Sequence, residues 1–186
     1  MSTVAELTKG QITGERVQDV AFRLFVAQGY HGTSMREIGE ASGLAAASIY
    51  NHFHSKEEIF RQILARHHPY HQVIPALEAA QGDTVEELVN DAAKRVYTIL
   101  RTRKELMHLF FIEVVEFEGR HLKKILLQAF PQVLNFLGRI QKARGKLRPI
   151  PPTSILLTLV GIVLSQWMME AAFFKNIPVP IAANHF

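Results

Sequence analysis

The chain has 186 residues, 21 Lys/Arg against 17 Asp/Glu, no cysteine and 48% hydrophobic residues. That length suits one or two domains and can bury a substantial core. The missing cysteines exclude disulfides and thiolate metal or redox chemistry, and the opening MSTVAELTKGQITGER lacks the apolar run of a secretory signal, so a cytoplasmic protein is expected. The net charge of +4 is unevenly spread: residues 1–66 hold seven Lys/Arg and seven Asp/Glu. Any affinity of this part for nucleic acid must therefore come from positioned phosphate contacts rather than bulk charge.

In chain order, Thr13 is placed to cap a first helix, with Glu15 near its positive end. Val17, Val20, Ala21, Leu24 and Phe25 form one apolar stripe, and Gly29 stops it. Tyr30 to Thr33 connect to the next helix. There Ser34 and Glu37 have capping-box spacing, Met35 and Ile38 share a face, and Glu40, Ala41 and Ser42 carry the helix to its end. Gly43 stands where a helix needs a left-handed C-terminal residue. Leu44 turns back to the core, and Ala45 to Phe53 restart a helix with Ile49 and Phe53 as core residues. Ser55 and Glu58 form a second capping box, opening a helix with Ile59, Phe60, Ile63 and Leu64 inward that runs to about His68, before Pro69. Helix, glycine turn, helix is the arrangement of DNA-reading helix-turn-helix units.

From residue 70 onward no strand alternation occurs, and there is no internal repeat. Thr84 and Glu87 form a further capping box, and Val85, Leu88, Val89, Ala92, Val96 and Ile99 make a helical face ending near Arg103. A helix over Lys104 to Phe117 follows, then one from about Gly119 to Arg144 that Pro131 splits or kinks. Gly145 to Pro152 reads as a basic, proline-rich loop and Ser154 to Phe174 as a last long helix, which the tail NIPVPIAANHF cannot extend. The chain is expected to be all-α. Residues 10–56 would form an N-terminal three-helix helix-turn-helix domain, and residues 57–186 a C-terminal helical ligand-binding and dimerisation domain.

The run G-x-x-x-x-S-I-Y-x-H-F-x-S-K-E-E, Gly43 to Glu58, follows A-x-x-L-F-x-x-x-G-Y-x-G-T-S-M-R-E-I, Ala21 to Ile38. Together they resemble the DNA-binding domain of TetR-type transcriptional regulators, specifically from about Thr13 to Leu64. The resemblance implies that Ser34, Arg36, Tyr50, His52 and Lys56 hold phosphates. Ser48 and Asn51 would address base edges, and Ala45, Ala46 and Ala47 would touch thymine methyls. The alanine run is less polar than is usual in the family, which shifts readout toward methyl contacts and DNA shape. The resemblance further implies a homodimeric repressor on a double-stranded, palindromic DNA operator, released by a small hydrophobic or amphipathic effector. No cofactor, metal or enzymatic activity is implied.

Downstream candidates stand against plainer readings. His67, His68 and His71 suggest a metal, since His67 and His71 are four apart, but Pro69 lies between them and no carboxylate stands at ligand spacing. Glu113, Glu116 and Glu118, with Arg120 nearby, read as a solvated or salt-bridged face rather than catalytic carboxylates. Arg139, Lys142, Arg144, Lys146 and Arg148 read as a solvated helix end, with a second nucleic-acid patch as the alternative. The apolar run Ile155 to Met169 is too short and interrupted for a membrane span. By resemblance it would be a dimer interface through Leu157, Val160, Gly161, Leu164 and Met168. The resemblance implies one more helix after it, which the sequence to Phe186 does not spell out, so a shortened chain or a smaller interface is expected. It also implies an effector cavity, with His71, Tyr97, Met107, His108, Phe111, Phe117 and Trp167 as candidate lining; each is equally a core residue by its type. The competing function is a helical small-molecule or metal-sensing protein without specific DNA recognition.

Overall fold

The computed structural model describes residues 9–103, 105–145 and 151–172. These form α1 (Lys9–Gln28), α2 (Met35–Ala41), α3 (Ala46–Ile49), α4 (Lys56–His67), α5 (Tyr70–Glu78), α6 (Val85–Arg101), α7 (Leu106–Phe117), α8 (Arg120–Lys142) and α9 (Pro152–Ala172). Among the described residues no strand occurs, and the only β-type pairing is an isolated bridge between Thr84 and Arg144. The fold is all-α.

Two compact units are present. Of the described residues, the first holds those through His68 together with His108–Leu122, and the second those from Pro69 to Met107 together with those from Lys123 onward. The first unit therefore reaches beyond residues 10–56, taking in α4 and most of α7.

In the first unit α1 packs against α2 and α4, and α2 against α3. Val17, Val20, Ala21 and Phe25 of α1 are buried with Ile38, Ile49, Phe53, Ile59, Phe60, Ile63 and Leu64, which is the apolar set the periodicity picks out. Helix α1 begins by Lys9, so Thr13 lies in its second turn and is not its cap. The Ser34–Glu37 capping box is complete. At the next start Ser55 Oγ accepts from Glu58 N at 3.1 Å, but the Glu58 carboxylate accepts from His54 N at 2.8 Å instead of Ser55 N. That box is only half closed.

The second unit has its core in Ala80, Leu88, Ala92, Phe136, Leu137 and Ile140, with Leu77, Val85, Val133 and Ile155 packed on it. The capping box at Thr84 and Glu87 is complete. Helix α5 follows directly on Pro69 and holds Pro75 inside it. Pro131 likewise lies within one continuous α8. Arg139 is not a free cation: its guanidinium donates to the carbonyls of Leu77, Glu78 and Ala80, satisfying the end of α5. Arg144 joins the 83–85 turn through its backbone, and Lys142 is exposed. Lys146 and Arg148, the tail after Ala172, and Lys104 lie outside the described residues.

Candidate nucleic-acid interface

The turn after α2 depends on one glycine. Gly43 has φ +68°, and the Arg16 guanidinium lies 2.5 Å from where a Cβ would stand. A side chain there would need both a left-handed backbone and displacement of Arg16. Ser42 and Leu44 amides bond back to Ile38 and Gly39 carbonyls, which closes α2. Helix α3 is one turn, but the amides of Asn51, His52 and Phe53 still bond to Ser48 and Ile49 carbonyls, so the coiled path runs to Phe53.

Ile49 and Phe53 are buried and fix the inward side of this path. The outward side carries Ala45, Ala47, Tyr50 (53% exposed) and Asn51, with Ser48 and His52 half-buried. The side chain of Ala46 lies outside the description. Ser34 and Arg36 are exposed on α2. The Ser34 hydroxyl donates to Glu37 Oε2 at 2.7 Å and accepts from Glu37 N. The Ser34 hydroxyl, then the Ser34 backbone N–H, which also donates to Glu37 Oε2 at 2.7 Å, hold the Glu37 carboxyl below the usual carboxylate range. Arg36 pairs with Glu40 at 3.0 Å, an exposed i, i+4 contact that is easily exchanged for a phosphate. The structure thus gathers Ser34, Arg36, Ala45, Ala47, Tyr50 and Asn51 as solvent-facing groups of one helix-turn-helix.

Lys56 behaves differently from the rest. Its Nζ donates to Tyr30 O at 2.6 Å and Thr33 O at 2.7 Å, and it lies 4.2 Å from the Tyr30 ring centroid. Burial lowers its pKa, opposed by Glu116 and Glu37. Two of its three donors are therefore spent on the loop before Ser34, which Thr33 Oγ1 also ties to Gly29 O.

Behind this surface lies a polar cluster that the periodicity did not reveal. Glu113 is fully buried, and Oε1 accepts from the backbone N–H of His121 (2.6 Å) and Leu122 (2.9 Å), the first turn of α8. The Glu113 carboxylate is thus an N-terminal cap supplied by the preceding helix, not a solvated face. Its Oε2 lies 2.9 Å from His121 Nδ1, and His121 Nε2 lies 3.2 Å from Glu57 Oε1 on α4. Arg120 reaches Glu57 at 3.4 Å, and Glu116 pairs with His31 at 2.5 Å. Phe60, Phe117 and Tyr30 pack around this cluster, with the Phe60 and Phe117 rings stacked at 5.0 Å. Burial, then Glu57 and Glu116, push the Tyr30 phenol up to about 12. The pairing of Glu113 with His121 spans eight residues across a turn, a spacing that helical periodicity alone does not flag.

The candidate effector residues are divided between the two units. Phe117 belongs to the aromatic core of the first unit, with Phe111 and His108 exposed in that unit. In the second unit His71 is exposed against Tyr70, and Met107 is half-buried. Burial, then the neighbouring Glu170 carboxylate, pushes the Tyr97 phenol up to about 12. Trp167, one turn before Glu170, is 4% exposed with its Nε1–H unpartnered. Of the proposed interface residues, Leu157, Val160 and Gly161 are exposed and Leu164 and Met168 half-buried. Among the described residues no group of three or more His, Asp or Glu is arranged to hold a metal, and no helix is long and apolar enough to cross a membrane.

The fold and this surface define the class: an all-helical protein with an N-terminal helix-turn-helix domain. Residues 18–63 match the family described as bacterial regulatory proteins, tetR family, which supports a TetR-type regulator. The chain is 28% identical over 106 residues to the uncharacterized HTH-type transcriptional regulator YvkB of Bacillus subtilis, covering 57% of this chain and 54% of that one. It is 42% identical over 55 residues to the HTH-type transcriptional regulator AcrR of Shigella flexneri, covering 30% and 26%. The match thus spans about half the length of the first of these relatives and about a quarter of the second. Among solved structures, the fatty acid degradation regulator FadR of Bacillus halodurans superposes with a TM-score of 0.67 at 16% identity, covering 89% of this chain and 87% of that one. NalD, a repressor from Pseudomonas aeruginosa, gives 0.66 at 17%, covering 90% and 89%. At these identities the structural likeness speaks for the fold.

Proposed function

We propose that this chain is a cytoplasmic, homodimeric transcriptional repressor, not an enzyme, that releases a palindromic operator when a small hydrophobic or amphipathic effector binds its helical body. The observation that carries the reading is the division of α3 and its continuation into a buried side, Ile49 and Phe53, and a solvent-facing side, Tyr50 and Asn51, flanked by Ser34 and Arg36. Exposed aromatic and amide groups on a rigidly backed helix suit phosphate and base-edge contacts. Ser34, Arg36, Tyr50 and His52 take phosphates, Ser48 and Asn51 face base edges, and Ala45, Ala46 and Ala47 meet methyl groups. Lys56 acts mainly by fixing the Tyr30–Thr33 loop, with one N–H left for a phosphate.

Dimerisation is supported by apolar side chains that the described residues leave exposed: one row of Leu126, Leu127, Phe130 and Leu134 on α8, and on α9 Leu157 and Val160 on one face with Ile162 and Met169 on another. Isolated exposed apolar residues need no partner, but groups of this size do. A symmetric pairing of such faces would set two reading heads in successive major grooves, about 34–36 Å apart. The buried Trp167 Nε1–H and the Tyr97–Glu170 pair supply the few polar groups that an otherwise apolar effector site uses for orientation. The name of the Bacillus halodurans neighbour, a fatty acid degradation regulator, agrees with an amphipathic effector. Solution mass combined with selection from a randomised duplex pool tests the reading. A dimer that enriches a palindrome supports it. A dimer that enriches nothing would favour a binding protein whose alanine-rich head, Ala45 to Ala47, does not read sequence.

A further inference from the structure

We infer that His121 is a positioning residue for DNA reading: when its imidazole carries both protons, it closes a hydrogen-bonded chain Glu113–His121–Glu57 that braces the first turn of α4. The inference rests on the DNA-reading function proposed above. Each ring nitrogen of His121 faces a carboxylate oxygen, Glu113 Oε2 at 2.9 Å and Glu57 Oε1 at 3.2 Å. A carboxylate only accepts, and a neutral imidazole has one N–H, so the neutral ring can satisfy one contact and leaves two acceptors opposed at the other. Only the doubly protonated ring donates to both.

Glu113 is the fixed end of the chain, because it is fully buried and already holds the α8 amides. Glu57 is the movable end, half-exposed and shared with Arg120. Beside it stands Lys56, which holds the carbonyls of Tyr30 and Thr33 directly before the Ser34 cap. The brace therefore reaches the helix-turn-helix through two adjacent residues of α4. The groups facing His121 are Glu57 and Phe60 from α4, Glu113 and Phe117 from α7, and Arg120 beside it. Tyr30 and the His31–Glu116 pair complete the surroundings. A braced head gives up less freedom on binding DNA, so the closed chain favours the complex.

The test uses the full-length protein and a duplex recovered by it from a randomised pool. Affinity is measured at about pH 6 and about pH 8, either side of the ordinary histidine range, for wild type, His121→Gln and Glu57→Gln. Wild type should bind about tenfold more tightly at the lower pH, the size of one hydrogen bond to a charged partner. His121→Gln should lose that factor and retain only what His52, proposed to hold a phosphate, and exposed histidines such as His54 contribute. Glu57→Gln should bind as tightly at the higher pH as wild type does at the lower, because its amide N–H can donate to an unprotonated Nε2. That rescue by a neutral residue is not expected of a merely structural ion pair. Equal pH ratios in wild type and His121→Gln, or weak binding by Glu57→Gln at the higher pH, would overturn the inference. If wild type recovers no duplex, the DNA reading itself fails. The brace is then judged by melting temperature, which should fall between the two pH values in wild type and stay level in Glu57→Gln. Should His121→Gln not fold, Glu57→Gln alone still decides the matter.

Discussion

Glu113 offers the sharpest test of how the first unit is held together. Replacing it with alanine removes a carboxylate that accepts three N–H groups, from His121 N, Leu122 N and the His121 ring. Nothing else in that turn is seen to accept the two backbone donors, and Glu113 and His121 are 0% and 5% exposed, so water cannot substitute without opening the cluster. Each orphaned buried donor costs about 1–3 kcal/mol. Removing one partner of a buried charged network costs about 3–5 kcal/mol in all, and the smaller cavity term adds in the same direction. For a chain of this size, 3–5 kcal/mol corresponds to a melting temperature lower by roughly 10 °C. Glu113→Gln keeps an oxygen where Oε1 stands and places an NH2 opposite His121 Nδ1. With the ring proton moved to Nε2 every contact can be kept, and the expected loss is about 1 kcal/mol. Urea unfolding followed by circular dichroism measures both values, and hydrogen exchange at the α8 amides of His121 and Leu122 localises the loss. A Glu113→Ala protein within about 1 kcal/mol of wild type, or a glutamine variant as damaged as the alanine one, would refute the reasoning.

Three further outcomes follow from the same geometry. Lys56→Met keeps the aliphatic stem but strips Thr33 O of its lysine donor, and should cost about 2 kcal/mol in urea unfolding, whereas a lysine used only for phosphates would cost nothing in stability. Because the Tyr30 phenol is pushed from 10.0 up to about 12 by burial, Glu57 and Glu116, it contributes stability that is whole below pH 10 and lost as pH rises through about 12. Tyr30→Phe should flatten part of that alkaline decline, with Tyr97, also raised to about 12, supplying the remainder. Leu127→Glu with Leu157→Glu should convert a dimer to a monomer in sedimentation equilibrium. Thermal stability of the monomer should be unchanged, since these side chains are 62% and 71% exposed in the single chain.

The features legible in the sequence are those whose partners lie within one helical turn. Ser34 with Glu37 and Thr84 with Glu87 are three residues apart, and Gly43 announces its turn by lacking a side chain. The outward positions Tyr50 and Asn51 follow from the burial of Ile49 and Phe53, which periodicity gives directly. Misread elements trace to proline. Helix α5 is hidden in the sequence because Pro69 reads as a breaker, yet Pro69 stands just before the helix, and Pro75 is held within it. Pro131 reads as a split or a kink, and α8 is one unbroken helix through it. The polar framework was illegible for a different reason. Lys56 meets Tyr30 and Thr33 across 26 and 23 residues, and His121 meets Glu57 across 64. No periodic rule connects such residues, and Glu113 in particular carries the composition of a surface helix while being entirely enclosed.

These two kinds of information divide the labour of the domain. The proposed reading surface is built from short-range signals and stays exposed, so its side chains can vary without loss of the fold. Its placement depends on the first turn of α4, where Lys56 anchors the loop before α2 and Glu57 meets the α7–α8 turn. Adjacent residues on a helix diverge in direction by about 100°, so one turn of backbone can hold two separate elements at once. With both contacts on one turn, a displacement of the α7–α8 turn acts through Glu57 on the same backbone that carries Lys56 and holds the loop before Ser34. If α4 acts as a lever on the reading head, its fulcrum is at Lys56 and Glu57, not at its far end near Pro69.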